Sequence, residues 1–409
     1  MSSLQQTPQG ERVHIALFGR RNVGKSSLIN ALTGQTVSIV SEVKGTTTDP
    51  VSKAMELLPL GPVVFIDTPG LDDEGDLGSL RVQRTLDILN KTDLAILVTT
   101  AEAGIGSCER QLVERLREKK LPFVTVLNQI DRLVPDPEAI RAITGETGSP
   151  VLAVSSVTRE GIDGLKSALI KAVPDADGDR RIIGDLLQPG DLVVLVTPID
   201  SAAPKGRLIL PQQQVLRDIL DTGAAAVVTQ VPQLAGVLGG LTAPPRLVVT
   251  DSQAFGPVSA IVPQTVPLTS FSILFARYKG DLATLKAGAD AVAALKDGDR
   301  ILIAEGCTHH RQTDDIGTVK IPRMLEKKTG KRLVFDHTSG IQYARNLSDY
   351  ALIVHCGGCM LNRREMLWRI AQARDSGIPI VNYGVLIAAL QGILPRARAG
   401  LQRPAAQAR

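Results

Sequence analysis

Aromatic side chains make up only 3% of the 409 residues, so stacking platforms for nucleic-acid bases are scarce. No Lys/Arg-rich run supplies a stripe for phosphates, and the formal net charge is a modest +4. Composition therefore gives no reason to expect a nucleic-acid partner. Long hydrophobic runs are missing as well. The opening residues, from Met1 to His14, hold no apolar stretch like the core of a signal peptide. The most apolar region, from Ala224 to Leu241, is interrupted by Gln230, Pro232, Gln233 and several glycines, and reads as core or interface, not as a membrane span. A cytoplasmic protein with no membrane contact is expected. Cysteine is rare: Cys108, Cys307, Cys356 and Cys359 are the full set, too few to suggest a disulfide framework. Three of the four fall late in the chain beside histidines, which in a reducing compartment points to metal. Cys108 stands alone on a helical run and reads as a small buried hydrophobe.

What is present is ordinary globular material, with 44% apolar and 22% charged residues. The length exceeds one comfortable core, and two or three domains are expected. Short β-rich runs alternate with amphipathic helical runs almost throughout, the pattern of α/β layers with mostly parallel sheets. In the first third, strands are expected at residues 13–18, 63–67, 94–99, 123–128 and 151–155, with helices at 25–32, 107–120 and 161–173. The polar, Pro- and Gly-containing stretch 174–179 marks a boundary. A second unit has strands at 192–197, 225–231 and 247–250 around a helix at 212–220; it carries no catalytic constellation and reads as a structural or dimerisation module. A third unit, from about 271, has strands at 300–304, 333–335, 351–354 and 379–381 and helices at 282–295, 319–328, 363–374 and 385–390. Beyond Leu394 a mobile tail is expected. The resulting division is 1–174, 175–270 and 271–409.

One motif dominates the first unit. Gly19-Arg20-Arg21-Asn22-Val23-Gly24-Lys25-Ser26 fits the pattern GxxxxGK[ST], between an apolar strand and an amphipathic helix. Glycines let backbone N–H groups turn toward phosphate oxygens, and the helix N-terminus adds partial positive charge. Asn22, Val23, Gly24, Lys25, Ser26 and Ser27 are the phosphate-side candidates, with Lys25 neutralising the β- and γ-phosphates and Ser26 on Mg²⁺. Further elements follow in the order a GTPase requires. Residues 45–49, GTTTD, place Thr47 to complete the Mg²⁺ shell. Asp67-Thr68-Pro69-Gly70 ends a strand, so that Asp67 holds Mg²⁺ through water and the Gly70 N–H senses the γ-phosphate. Asn128-Gln129-Ile130-Asp131 ends another strand. Guanine presents two adjacent donors to one carboxylate, so Asp131 selects GTP over ATP. Ser155 and Ser156 lie against the base. Lys25, Thr47 and Gly70 are the residues expected to serve hydrolysis.

These residues resemble the TrmE/Era group of P-loop GTPases, with a Ras-like fold. The resemblance implies that Asn22 supports a K⁺ ion beside the phosphates. Leu71 stands where Ras-like enzymes carry a water-orienting Gln, which implies slow hydrolysis that K⁺ assists. Gln129 departs from the family pattern, which has Lys there, and a weaker grip on the nucleotide is expected from that change.

The late cysteines fall in two groups. Cys307-Thr308-His309 follows the expected strand 300–304, and His355-Cys356-Gly357-Gly358-Cys359 follows 351–354. Both lie just beyond the carboxyl ends of strands, where ligands collect in open α/β sheets. Gly357 and Gly358 permit a tight turn that lets Cys356 and Cys359 face one centre. Three thiolates and an imidazole make a tetrahedral zinc site; three thiolates equally hold three irons of a [4Fe–4S] cluster and leave one iron exchangeable. Spacing alone leaves both open. His337, beyond another strand, reads as structural or supporting, and His14 sits on the first strand.

Taken whole, the order of parts resembles the maturation GTPases of [FeFe]-hydrogenase, the HydF family. The resemblance implies that Cys307, Cys356 and Cys359 ligate a [4Fe–4S] cluster, with His309 or His355 as fourth ligand or supporting group. It also implies a homodimer built on the middle domain. The chain would then be a scaffold that receives a transient diiron precursor from the radical-SAM maturases HydE and HydG and delivers it to the hydrogenase apoprotein. Two other readings of the same parts are a TrmE/Era-like regulatory GTPase with structural zinc, and one with a redox-sensing cluster.

Overall fold

The computed structural model describes residues 9–34, 51–71, 85, 87–173, 180–198, 208–306, 315–340, 343, 346–358 and 360–401. Of the expected site residues, Thr47, Cys307, His309 and Cys359 lie outside this set, as does the stretch 174–179. The chain divides into two compact units, Met1–Gly178 and Asp179–Arg409.

In the first unit the elements are β1 (Val13–Phe18), α1 (Lys25–Thr33), β2 (Val51–Leu57), β3 (Gly61–Asp67), β4 (Leu94–Thr100), α2 (Ser107–Glu118), β5 (Phe123–Asn128), α3 (Pro137–Thr147), β6 (Val151–Ala153) and α4 (Ile162–Ala172). They form one six-stranded sheet in the order β2-β3-β1-β4-β5-β6, parallel except for β2. The sequences of β1, β4 and β5 are near-continuous apolar runs, as strands buried on both faces require. Helix α1 packs Leu28, Ile29 and Leu32 with Leu165 and Leu169 of α4 on one face. Leu112, Val113 and Leu116 of α2 cover the other. The edge strand β2 was not expected. Its mixture of Ser52, Lys53 and Glu56 with Ala54, Met55 and Leu57 suits an edge with one wet side. Helix α3 was also missed, although Asp136 caps it by accepting from the Glu138 N–H and Pro137 occupies its first position.

The second unit contains β7 (Leu192–Val196), α5 (Leu210–Asp221), β8 (Ala225–Thr229), α6 (Leu234–Gly240), β9 (Leu247–Thr250), α7 (Phe255–Ile261), β10 (Leu268–Ser270), α8 (Phe271–Lys279) and α9 (Leu282–Asp290). It continues with β11 (Arg300–Glu305), α10 (Ile321–Thr329), β12 (Val334–Ser339), β13 (Leu352–His355), α11 (Arg363–Asp375), β14 (Ile380–Asn382), α12 (Tyr383–Leu390) and α13 (Leu394–Ala399). Two four-stranded sheets result, β10-β9-β7-β8 and β12-β11-β13-β14, both parallel throughout. One apolar core runs from Val194, Val248 and Phe255 at the first of these sheets to Ile303, Val354 and Val385 at the second. Helix α8 serves both sides, with Ile273 and Ala276 in that core and Phe271, Leu274 and Phe275 against the outer face of the first sheet. Helix α9 lies so close to β14 that a Cβ on Gly288 would sit 1.9 Å from the Ile380 carbonyl oxygen.

The expected tail after Leu394 begins instead as α13. Leu394 and Ala397 are buried, and Arg396 donates to the carbonyls of Ser259, Val262 and Pro263 at 3.0, 2.8 and 2.8 Å. Those contacts supply the order that composition hid. His337 also differs from expectation: β12 runs on to Ser339, so His337 is mid-strand and exposed. Cys108 is half-buried in the first turn of α2, not fully enclosed. No helix among the described residues is long and apolar enough to cross a membrane.

Candidate nucleotide site and candidate metal centre

In the first unit, the carboxyl ends of β1, β3, β5 and β6, the loops that follow them and the first turn of α1 carry every described nucleotide candidate. The loop from Gly19 to Gly24 turns through left-handed conformations at Asn22 (φ 62°) and Gly24 (φ 89°). A side chain at Gly24 would collide with the Asn128 amide, 2.4 Å from the ideal Cβ, so both its backbone and its neighbour require glycine. Lys25, buried, donates from Nζ to the Gly19 and Arg20 carbonyls, each at 2.8 Å, and is thereby held along the loop. Ser26 Oγ donates to Asp67 Oδ2, which brings the two expected Mg²⁺ groups together. Ser27 is exposed in the same first turn of α1, and Val23 is buried beneath the loop. Gly70 follows Asp67 after Thr68, whose hydroxyl donates to the Leu17 carbonyl at 2.6 Å; the next residue, Leu71, donates its N–H to the Gly19 carbonyl at 3.2 Å. The segment expected to sense the γ-phosphate is thus tied to the Gly19–Gly24 loop.

The base side is equally coherent. Asn128 Nδ2 donates to the Val23 carbonyl at 2.9 Å, while its Oδ1 accepts from the Ser156 N–H and hydroxyl at 3.1 and 2.8 Å. Ser155 Oγ donates to Asp131 Oδ1 at 2.5 Å, orienting the carboxylate. Gln129, at φ 66°, donates from Nε2 to the Asn22 carbonyl at 2.8 Å. Its amide thus ties the base loop to the phosphate loop. One further residue escaped the sequence reading: Glu109 of α2 is fully buried and takes Arg20 of the phosphate loop at 2.7 Å, while also accepting from the Gly106 N–H at 3.0 Å.

The second candidate site lies at the carboxyl edge of the sheet β12-β11-β13-β14. Strands β11 and β13 are neighbours, with Ala304 opposite His355, and the Cys356 N–H continues the ladder to the Ala304 carbonyl at 2.8 Å. Cys356 Sγ accepts from the Gly306 N–H at 3.1 Å and from the Gly358 N–H at 3.4 Å. Gly306, which contacts this sulfur, directly precedes Cys307 in the chain. Cysteine sulfur is a ligand that both zinc and iron take. The sulfur donor of the described part therefore fits a cysteine-bound metal centre. Gly358 is left-handed (φ 63°), and a Cβ there would lie 2.5 Å from Met366 Cε, so the tight turn depends on it. Among the described residues, no three His, Cys, Asp or Glu side chains gather as a complete metal site.

His355 is fully buried and both ring nitrogens are engaged. Nδ1 meets the Cys356 carbonyl at 2.7 Å and Nε2 meets Arg369 Nη1 at 3.0 Å. Burial, with the Arg369 charge second, pushes its pKa down to about 3, so the ring is neutral. Arg369, fully buried on α11, also donates to the Gly340 carbonyl at 2.9 Å and to Glu365 at 2.7 Å, and lies over the Tyr343 ring. Removing one partner of such a buried pair typically costs about 3–5 kcal/mol.

Residues 182–280 match the family model described as the hydrogen maturase F dimerization domain, and residues 283–399 match the hydrogen maturase F tetramerization domain. Together the two span more than half the chain. The chain belongs to the hydrogen maturase F family. Residues 14–129 match a third model, a 50S ribosome-binding GTPase, and the first unit is a GTPase domain. Among curated relatives, the tRNA modification GTPase MnmE of Chromobacterium violaceum is 34% identical over 173 residues, 42% of this chain and 37% of that protein. GTPase Era of Rippkaea orientalis is 29% identical over 254 residues, 59% of this chain and 76% of that protein. The chain thus spans little more than a third of the MnmE length. Among solved structures, Aquifex aeolicus Era bound to GDP·AlF4⁻ is similar at 20% identity and TM-score 0.36, covering 53% of this chain and 92% of that one.

Within this hydrogen maturase F chain, a carboxylate and a phenol that sequence reasoning passed over stand at the cysteine edge. Glu305, the last residue of β11, is 3% exposed and accepts from the Tyr383 hydroxyl at 3.3 Å. Burial, and then Glu305, raise the Tyr383 pKa. The signal in the sequence was an acidic residue ending an otherwise apolar strand. Arg369 and Glu365 gave a fainter one, since both read as ordinary charges on an amphipathic helix.

Proposed function

We propose that this protein is a GTP-hydrolysing scaffold of [FeFe]-hydrogenase maturation that holds a [4Fe–4S] cluster on Cys307, Cys356 and Cys359. The observation that carries the reading is the Cys356 sulfur, held by two backbone N–H groups where the segment leading to Cys307 arrives, in a chain of the hydrogen maturase F family. Bound there, the cluster supplies an iron with an exchangeable position. The chain's own residues shape that edge: Gly306 and Gly358 orient the thiolate, and Glu305 and Tyr383 offer polar groups beside it. The transient diiron precursor is the cargo, received from the radical-SAM maturases HydE and HydG and passed to the hydrogenase apoprotein. The two modules of the second unit, 182–280 and 283–399, support homodimers and tetramers.

At the nucleotide site, Lys25 and the phosphate loop bind GTP, Ser26 and Asp67 hold Mg²⁺, and Asp131, oriented by Ser155, reads guanine. Asn22 supports K⁺, and Leu71 in place of an orienting side chain keeps hydrolysis slow. GTP orders the segments around Thr47 and Gly70, and hydrolysis releases them, which changes partner docking. The test is transfer. Anaerobically loaded protein, mixed with hydrogenase apoprotein, is expected to yield hydrogen evolution that Cys356→Ala abolishes. Equal activation by the variant would reject the scaffold reading.

A further inference from the structure

The hydrogen bonds around His355 determine its tautomer. A guanidinium has only N–H donors, so the Arg369 Nη1 contact at 3.0 Å makes His355 Nε2 an acceptor. The proton is therefore on Nδ1, which donates to the Cys356 carbonyl at 2.7 Å. With one nitrogen protonated and the other accepting from Arg369, the ring has no lone pair left for a metal. Arg369 is itself fixed by Glu365, by the Gly340 carbonyl and by the Tyr343 ring at 5.3 Å. These contacts come from α11 and from residues after β12, so Arg369 is held in place and the ring cannot turn toward the sheet edge without breaking both of its own hydrogen bonds.

We propose that Arg369 is a positioning residue of the metal centre: it withholds His355 from the metal and makes it a strut that fixes the backbone of Cys356. This deepens the cluster reading and rests on it. Its physical logic is that of outer-shell groups in metal sites, which orient the ligands and whose loss typically costs about 10- to 100-fold in metal affinity. The strut acts on the carbonyl of the cysteine whose sulfur takes the Gly306 and Gly358 N–H groups, so a shift of that peptide moves the sulfur as well.

The first measurement needs no metal. Imidazole ¹⁵N spectra of the metal-free full chain are expected to show His355 as the pure Nδ1–H tautomer, and Arg369→Met as a mixture. A wild-type Nε2–H tautomer would overturn the proposal. Arg369→Lys, which keeps a charge for Glu365, guards against a variant that fails to fold, and melting curves report the fold of each. The second measurement uses protein loaded with iron and sulfide. His355→Asn retains a donor toward the Cys356 carbonyl but cannot replace an imidazole on iron. It is expected to keep the wild-type EPR spectrum, whereas Arg369→Met loses iron to a chelator about tenfold faster. An altered spectrum in His355→Asn with an unchanged Arg369→Met would make His355 a ligand and overturn the inference. A wild-type chain that takes up no iron would instead reject the cluster reading, and leave the tautomer result standing.

Discussion

Gln129 stands where the resembled GTPases carry lysine, and makes a contact of its own. A lysine there would cover the base with its stem; the glutamine instead ties the base loop to the phosphate loop through the Asn22 carbonyl. One neutral hydrogen bond is worth about 0.5–1.5 kcal/mol, so Gln129→Ala is expected to weaken guanine-nucleotide binding up to about tenfold, read by fluorescence titration. Asp131 is the residue proposed to carry the selectivity. Xanthine has a carbonyl where guanine has its amino group, so Asp131→Asn is expected to lose GTP affinity and gain xanthosine triphosphate affinity, each by roughly 10- to 100-fold for a charge-assisted pair of about 1.5–3 kcal/mol. Unchanged nucleotide preference would remove Asp131 from the base site. At the other site, Cys356→Ala is expected to lose bound iron while GTP turnover continues at the wild-type rate, by iron analysis and phosphate release on the same preparation.

Helix termini and close approaches decide what the elements can tolerate. Asp281 caps α9 through the N–H groups of Ala283 and Thr284. Its pKa is lowered, chiefly by the Thr284 hydroxyl. A carboxylate whose folded pKa lies below its unfolded value stabilises above the unfolded pKa, and that contribution is lost as pH falls through the folded one. Asp281→Ala is therefore expected to cost about 1 kcal/mol at neutral pH, with the difference vanishing in strong acid, by denaturant titration across pH. Where α9 meets β14, Gly288→Ala would place a methyl against the Ile380 carbonyl. A loss of about 1–3 kcal/mol is expected from the overpacking, seen as a lower melting temperature for the second unit.

Strands such as β1, β5 and β9 were legible because an apolar run between turn residues has few alternatives in an α/β chain. Edge strand β2 and the short β10 were not, since a half-wet edge carries no such run and three residues carry no period. Helix α13 was hidden because its order comes from Arg396 reaching carbonyls more than a hundred residues away. The GTPase domain was readable for the opposite reason: phosphate and guanine chemistry constrain residue type at fixed offsets. The surroundings of His355 were not legible, because the contact its ring makes with Arg369 comes from a buried arginine fourteen positions later.

For the whole chain, the GTPase domain lies in the first compact unit and the proposed cluster site belongs to the second. A switch that works across such a division must show itself in partners. Equal affinity for hydrogenase apoprotein in the GTP- and GDP-bound states would leave the GTPase without the regulatory part assigned to it. The prior question is whether Cys307, Cys356 and Cys359 hold a cluster. Anaerobically purified full-length protein, analysed for iron, sulfide and zinc and examined by EPR after reduction, answers it directly. The expected result is roughly four irons and four sulfides per chain, with a reduced [4Fe–4S] signal that shifts when an exogenous ligand is added. One zinc per chain with no iron would contradict it.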